Sequence, residues 1–218
     1  MRYRITFTKN DDMRFTGHLD LHRTWERTFR RAGLPIAYSQ GFHPQPRINL
    51  AAALPLGFTS ECELADVWLE TEVPVEKVKE SLDTAVPPGL IVTGVEIINQ
   101  HAPTLQTQVV ASEYFVTLLD STQDLDKRIE SIIGSADLHR ERRGKDYDLR
   151  PLILDMHRLP DDEEGRSRIS MKLAAEPGAT GRPEEVLGQM DITPEAAKVH
   201  RKRIIFGVQG EGQSRAGT

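Results

Sequence analysis

His18 and His22 lie four residues apart with Asp20 between them, a spacing that sets two imidazoles on one face of a helix, where both could reach one metal ion. A zinc site needs further ligands. The glutamate that follows the first histidine in HExxH is here Leu19, so the metalloprotease signature is missing. His43 could be a third ligand only if its loop folded back onto the helix. No metal and no other cofactor is expected. As acid–base groups, His18, His43 and Tyr38 are the candidates for a metal-independent ribonuclease or RNA-modifying enzyme. Their spacing does not by itself bring them together, and whether the chain is an enzyme stays open.

Cationic residues form several groups. Arg23, Arg27 and Arg30 recur at i, i+4 and i+7 with Arg31 adjacent, on the helix face away from Leu21 and Phe29. The row suits a solvated face with a Glu26–Arg30 pair, and it equally suits a stripe that tracks phosphates. The run Tyr38-Ser39-Gln40-Gly41-Phe42-His43-Pro44-Gln45-Pro46-Arg47 is stiffened by two prolines and freed at Gly41. Tyr38, Phe42 and His43 could stack bases while Arg47 holds a phosphate; alternatively the aromatics plug the core. A third group is Arg140, Arg142, Arg143 and Lys145, leading to Arg150, and a fourth is Arg201-Lys202-Arg203. The candidate RNA contacts are therefore Arg23, Arg27, Arg30, Arg31, Tyr38, Phe42, Arg47, Arg142, Arg143, Lys145 and Arg150.

Charge is unevenly distributed along the 218 residues, whose formal net charge is −5. Residues 1–50 carry nine Arg/Lys against four Asp/Glu, and residues 51–100 two against nine. A polyanion would meet the first segment. The second, with Glu61, Glu63, Glu70 and Glu72, could dock a protein if the chain is an interaction scaffold without nucleic acid. A single cysteine, Cys62, excludes an intrachain disulfide and a thiolate metal cage. No apolar run approaches a membrane span and no signal segment opens the chain, so a cytoplasmic protein without membrane contact is expected. There is no P-loop, no GxGxxG, no GxSxG elbow and no RNP aromatic pattern. There is also no CxxxCxxC to hold an iron–sulfur cluster.

The elements that would position these residues follow from periodicity. Residues 3–9 alternate as a strand, and Thr16 is placed to cap a helix reaching Gly33, with Leu21, Trp25 and Phe29 as its apolar seam. Strands follow at about 47–54 and 60–70, a helix from Pro74, and a strand at 90–98. That β-α-β-β-α-β order makes residues 1–98 a ferredoxin-like domain with a basic helix and the stiff loop. Residues 99–111 read as a linker. The order repeats over 112–208, with a strand at 114–119, a helix at 125–133, strands at 147–158 and 167–175, a helix from Pro183 and a last strand at 201–208. The tail 209–218 is expected to be disordered. The predicted fold class is α+β, as two tandem ferredoxin-like (β-α-β-β-α-β) domains.

Several motifs carry a resemblance. They are Arg14-Phe15-Thr16-Gly17-His18-Leu19-Asp20-Leu21, Phe29-Arg30-Arg31-Ala32-Gly33-Leu34-Pro35, the Tyr38–Arg47 run and Ala53-Leu54-Pro55-Leu56-Gly57. Leu149-Arg150-Pro151 and Arg182-Pro183-Glu184-Glu185-Val186-Leu187 add to them. With these the chain resembles, over residues 2–206, a radical-SAM-linked bacterial family of unknown function (DUF2344-type). Members are found beside, or fused to, a radical-SAM protein with a cobalamin-binding domain. His22 stands where that family is expected to carry an apolar residue, which speaks against a shared HxxxH metal site. The resemblance implies a companion of a radical-SAM enzyme, binding RNA or presenting a substrate for modification, with the radical-SAM protein as partner.

Overall fold

Alternation makes Arg2–Lys9 a strand, β1, with Tyr3, Ile5 and Phe7 fully buried on one side. A computed structural model of the chain describes residues 1–207. After β1 come α1 (His18–Arg31), β2 (Ile48–Leu50), β3 (Thr59–Trp68), α2 (Val75–Ala85) and β4 (Leu90–Ile98). A short helix, α3 (Leu105–Gln108), leads into β5 (Val109–Leu118) and α4 (Leu125–Gly134). Then follow β6 (His139–Arg142), β7 (Lys145–Asp148), β8 (Ile153–Leu159), β9 (Arg168–Glu176), β10 (Ala179–Thr180), α5 (Pro183–Gln189) and β11 (Ala197–Phe206). The described residues thus form a mixed α+β fold around one nine-stranded sheet, with β6 and β7 as a separate hairpin.

In the first half the strands lie in the order β4-β1-β3-β2, all antiparallel. In the second the order is β11-β5-β9-β8, again antiparallel. The halves share the sheet. β2 has three residues and covers Ala65–Val67 of β3, which leaves the start of β3 open. β11 takes that place in parallel, pairing His200 with Thr59 and Arg201 with Ser60. Helices α1 and α2 bury Leu21, Trp25, Phe29, Val78 and Leu82 against β1 and β3. In the second half α4 and α5 bury Leu125, Ile129, Ile132, Val186 and Leu187 against β5 and β9. Leu54 and Phe58 leave the first half to join this second core, and the Phe58 ring meets Tyr114 edge-on at 6.3 Å.

The expected elements are present with particular differences. α1 is capped by Gly17 without a side-chain cap, and the Thr16 hydroxyl turns to the Met13 sulfur at 3.6 Å instead. Residues 99–111 hold α3 and the start of β5 rather than a free linker. Leu105 is fully buried, and the Arg2 guanidinium donates to the carbonyls of Ala102 and Pro103. β11 begins at Ala197, four residues earlier than alternation suggested. Asp148 ends β7, and the edge strand β8 starts only at Ile153. The tail 209–218 lies outside the described residues.

Two buried charged groups hold the first half. Asp66, fully buried, accepts from Arg2 Nε at 3.1 Å and from Arg4 Nε at 2.9 Å. Lys9, also fully buried, donates to Phe58 O at 3.0 Å and Arg14 O at 3.2 Å. Burial is the largest influence on Lys9 and brings its ammonium from 10.5 down to about 8, with Glu63 opposing the shift and Arg201 adding to it.

Replacing Asp66 by Asn leaves Arg2 buried without its counter-charge. Urea unfolding should show a loss of about 3–5 kcal/mol, whereas a loss within that of an exposed ion pair would contradict the role given to it. For Lys9, the native state releases its proton near pH 8 while the unfolded chain keeps it to about 10.5. The unfolded state therefore binds more protons in this window, and the lysine's contribution to stability rises with pH across it. The unfolding free energy of the native sequence should gain on that of Lys9→Met between pH 8 and 10. An NMR titration midpoint for Lys9 near 10.5 would refute the assignment.

Candidate functional site

A cavity of about 830 Å³ opens over the seam where β11 meets β3. His18 of α1 and the 51–56 segment line it from the first half, and Arg142, Arg143, Lys145 and the 175–184 segment from the second. The turn of α1 explains the first contribution. At about 100° per residue, His18 continues the stripe of Leu21, Trp25 and Phe29 past the end of the core, toward the seam. Partial desolvation and then the neighbouring His22 hold the His18 imidazole below its ordinary value, with Glu63 opposing.

The hairpin that brings the cations is sharply defined. Arg142 pairs with Lys145 across a two-residue turn in which both Arg143 (φ 53) and Gly144 (φ 73) have positive φ, the geometry that matches strand twist in a tight hairpin. Arg142 is held by the Glu185 carboxylate, from Nε at 2.8 Å and also from Nη2, and lies over the Tyr147 ring at 4.7 Å. The Glu185 hydrogen bond is the largest reason its guanidinium sits above the ordinary value. Arg143 and Lys145 are exposed, and neither forms an ion pair among the described residues.

Beneath them, Arg201 is buried at 1 % exposure. Its Nη1 donates to both Glu63 oxygens at 2.9 and 3.2 Å, and its Nη2 to Ala53 O at 2.6 Å and the Tyr114 hydroxyl at 3.2 Å. Burial works against this charge, but Glu63 and then Tyr114 more than offset it and keep the guanidinium protonated. Glu184 also reaches the cavity, and burial pushes its carboxyl above the ordinary carboxylate value.

The remaining candidates do not gather here. Arg27 is about 180° around α1 from His18. With Arg23 and Arg31 it lines a second cavity of about 450 Å³ with Thr16, Asp20 and Pro87. Arg23 pairs with Asp20 at 3.3 Å, Arg31 donates to the Ala85 carbonyl at the end of α2, and Arg30 is exposed. Arg150 uses its guanidinium on the carbonyls of Ile133 and Ile153, so it closes the end of α4 rather than facing a ligand. The Tyr38–Arg47 loop leaves the sheet at the far end of β3, where Ile36 bridges Leu69, roughly 30 Å of strand away from the seam at Thr59 and Ser60. Tyr38 bridges Pro46, Arg47 lies over the Trp68 ring at 4.7 Å, and Phe42 and His43 are exposed at the tip. Its aromatics therefore plug no core.

His22 touches Ile48 O at 3.3 Å, and no group of three or more His, Cys, Asp or Glu suited to a metal is found among the described residues. Of the acidic residues, Glu63 is buried against Arg201 and Glu61 is held by Lys202 at 2.6 Å and His200 at 3.3 Å. Glu70 and Glu72 are exposed and form no ion pair among the described residues. Sequence reasoning overlooked Ser112, Tyr114, Arg182, Glu184 and Glu63 as parts of one site, and it left Arg201 in an unassigned basic cluster.

Among the described residues no helix is long and apolar enough to cross a membrane. Two solved structures are similar at low identity. A chain of a Cbf5-Nop10-Gar1 complex is 9% identical with a TM-score of 0.46, over 91% of this chain and 48% of that one. A structure described as a glycine cleavage system transcriptional repressor is 12% identical with a TM-score of 0.26, over 94% of this chain and 98% of that one. The chain thus spans about half the length of the first. No curated protein matches. A family model does match, over residues 2–183, and the chain belongs to that family, described as an uncharacterized protein conserved in bacteria (DUF2344).

Proposed function

We propose that the chain binds RNA in the cleft between its halves and presents it to a radical-SAM partner enzyme in the cytoplasm. The observation that carries the reading is the exposed Arg143–Lys145 turn, set beside Arg142 and Arg182 over one cavity. Cations without protein partners at the mouth of a cleft attract a polyanion and hold it through its phosphates. The strand orders of the two halves support tandem ferredoxin-like units, which supply a continuous sheet as the floor. The radical-SAM partner rests on the family resemblance of the sequence motifs alone. Cleavage by His18 with His43 or Tyr38 is the weaker reading, because the loop carries the latter two away from the seam and leaves His18 without its acid–base partner.

RNA affinity should fall steeply with salt, and Arg143→Glu with Lys145→Glu should reduce it to background in fluorescence anisotropy. Reversing Arg27 and Arg30 on the opposite side of α1 should cost less than this double variant. Salt-independent binding, or equal losses from the two reversals, would remove the cleft from the interface.

Backbone conformation gives a second, independent check. An arginine at φ 53 adopts a left-handed backbone that costs about 1–2 kcal/mol relative to the right-handed one, and glycine avoids that cost. Arg143→Gly should therefore keep or raise the melting temperature while weakening RNA binding. A variant that binds RNA as well as the native chain would show that the arginine has only a structural part.

A further inference from the structure

Three of the seven buried side-chain atoms without a hydrogen-bond partner among the described residues lie in the wall of the cleft: Ser112 Oγ, Glu184 Oε2 and Arg201 Nε. Ser112 and Arg201 are each 1 % exposed. The other four lie outside the cleft, on Thr8, Arg14, Trp25 and Thr28. Buried polar groups are normally paired, so the three in the cleft wall are open to a ligand that brings its own donors and acceptors.

The floor differs from the rim in charge. Arg143, Lys145 and Arg182 outnumber the exposed Glu176 around the cavity and leave the rim positive. Below them Glu63 already neutralises Arg201 through two hydrogen bonds at 2.9 and 3.2 Å. A phosphate driven down to the floor would meet the Glu184 carboxyl and an arginine whose charge is already answered by Glu63. The floor suits a neutral group instead, offering an N–H donor, a hydroxyl that can do either, and a carboxyl. Leu54, Pro55 and Pro177 supply apolar wall, Tyr114 a ring, and the volume of about 830 Å³ falls in the range of small-ligand sites.

We propose that the floor of the cleft receives a nucleobase turned out of an RNA strand whose phosphates lie on the Arg143–Lys145 rim. Arg201 Nε–H and the Ser112 hydroxyl meet acceptors on the base edge, and Glu184 meets its ring or exocyclic N–H groups. Burial holds the Glu184 carboxyl above the ordinary carboxylate value, against the pull of Arg182 and Arg142. This inference rests on the RNA-binding reading above, and the experiment separates the two.

The full chain is titrated at one salt concentration with a degenerate-sequence RNA of about ten nucleotides and with an abasic ribose-phosphate strand of equal length. The base-bearing strand should bind at least about tenfold more tightly. Ser112→Ala, which removes a buried hydroxyl that has no partner and so should fold normally, should narrow that gap by about three- to tenfold. Glu184→Gln should narrow it too, and neither should change affinity for the abasic strand. Arg143→Glu should weaken both strands. Equal affinity for the two strands, with Arg143→Glu still effective, would overturn the base pocket and leave the RNA reading standing. A gap untouched by both Ser112→Ala and Glu184→Gln would also overturn it. No binding of either strand would remove both proposals.

Discussion

Arg201 and Glu63 bury a positive and a negative charge, each almost out of reach of water, at the place where the two halves of the sheet meet. Neither charge can be left alone there, because an uncompensated buried ion costs several kcal/mol. The pair therefore constrains the seam more strongly than the ladder itself, which consists of two paired positions. A slip of one residue along β11 would turn Arg201 to the other face of the sheet and leave Glu63 unanswered. Register, the relative placement of the halves and the position of Tyr114 all depend on this contact. Leu54 and Phe58 add apolar burial across the same boundary, but an apolar contact tolerates small shifts that a two-pronged ion pair does not.

The same pair sets the chemistry of the cleft. A buried arginine by itself would make the floor the most positive point of the molecule and draw a phosphate into it. With Glu63 bonded to it the floor is close to neutral, and the positive field moves outward to Arg143 and Lys145. Charge and hydrogen-bonding capacity are thus separated by depth. This separation is what distinguishes a site for a strand with one buried unit from a patch that attracts any anion.

Much of the fold was legible in the sequence because its period is regular. The β1 alternation, the Leu21–Trp25–Phe29 stripe and the Pro74 helix start each follow from local residue types, and each stands where periodicity put it. The seam was not legible, since it depends on residues 138 positions apart. Starting the last strand at Arg201 hid the phase Ala197, Val199, Arg201, in which an arginine occupies an inward position. That anomaly was the available signal. The Tyr38–Arg47 loop was conspicuous by composition, yet stiffness and aromatic content say nothing of which end of a sheet a loop occupies. His18 and the Arg23–Arg27–Arg30 row belong to one helix, and its 3.6-residue period was enough to show that they face opposite ways.

The features of the cleft share an energetic character. An arginine in a left-handed backbone conformation and three buried polar atoms without partners each lower the stability of the folded chain. A sequence selected only for stability would place Asn or Gly in the turn and an apolar or paired group at Ser112. Of the seven unpartnered buried atoms and the three non-glycine residues at positive φ among the described residues, three and one belong to this cavity, at the seam that the Arg201–Glu63 pair holds in register. A ligand that pairs those atoms offsets the cost only when bound, so that binding and stability become linked at this place in the fold.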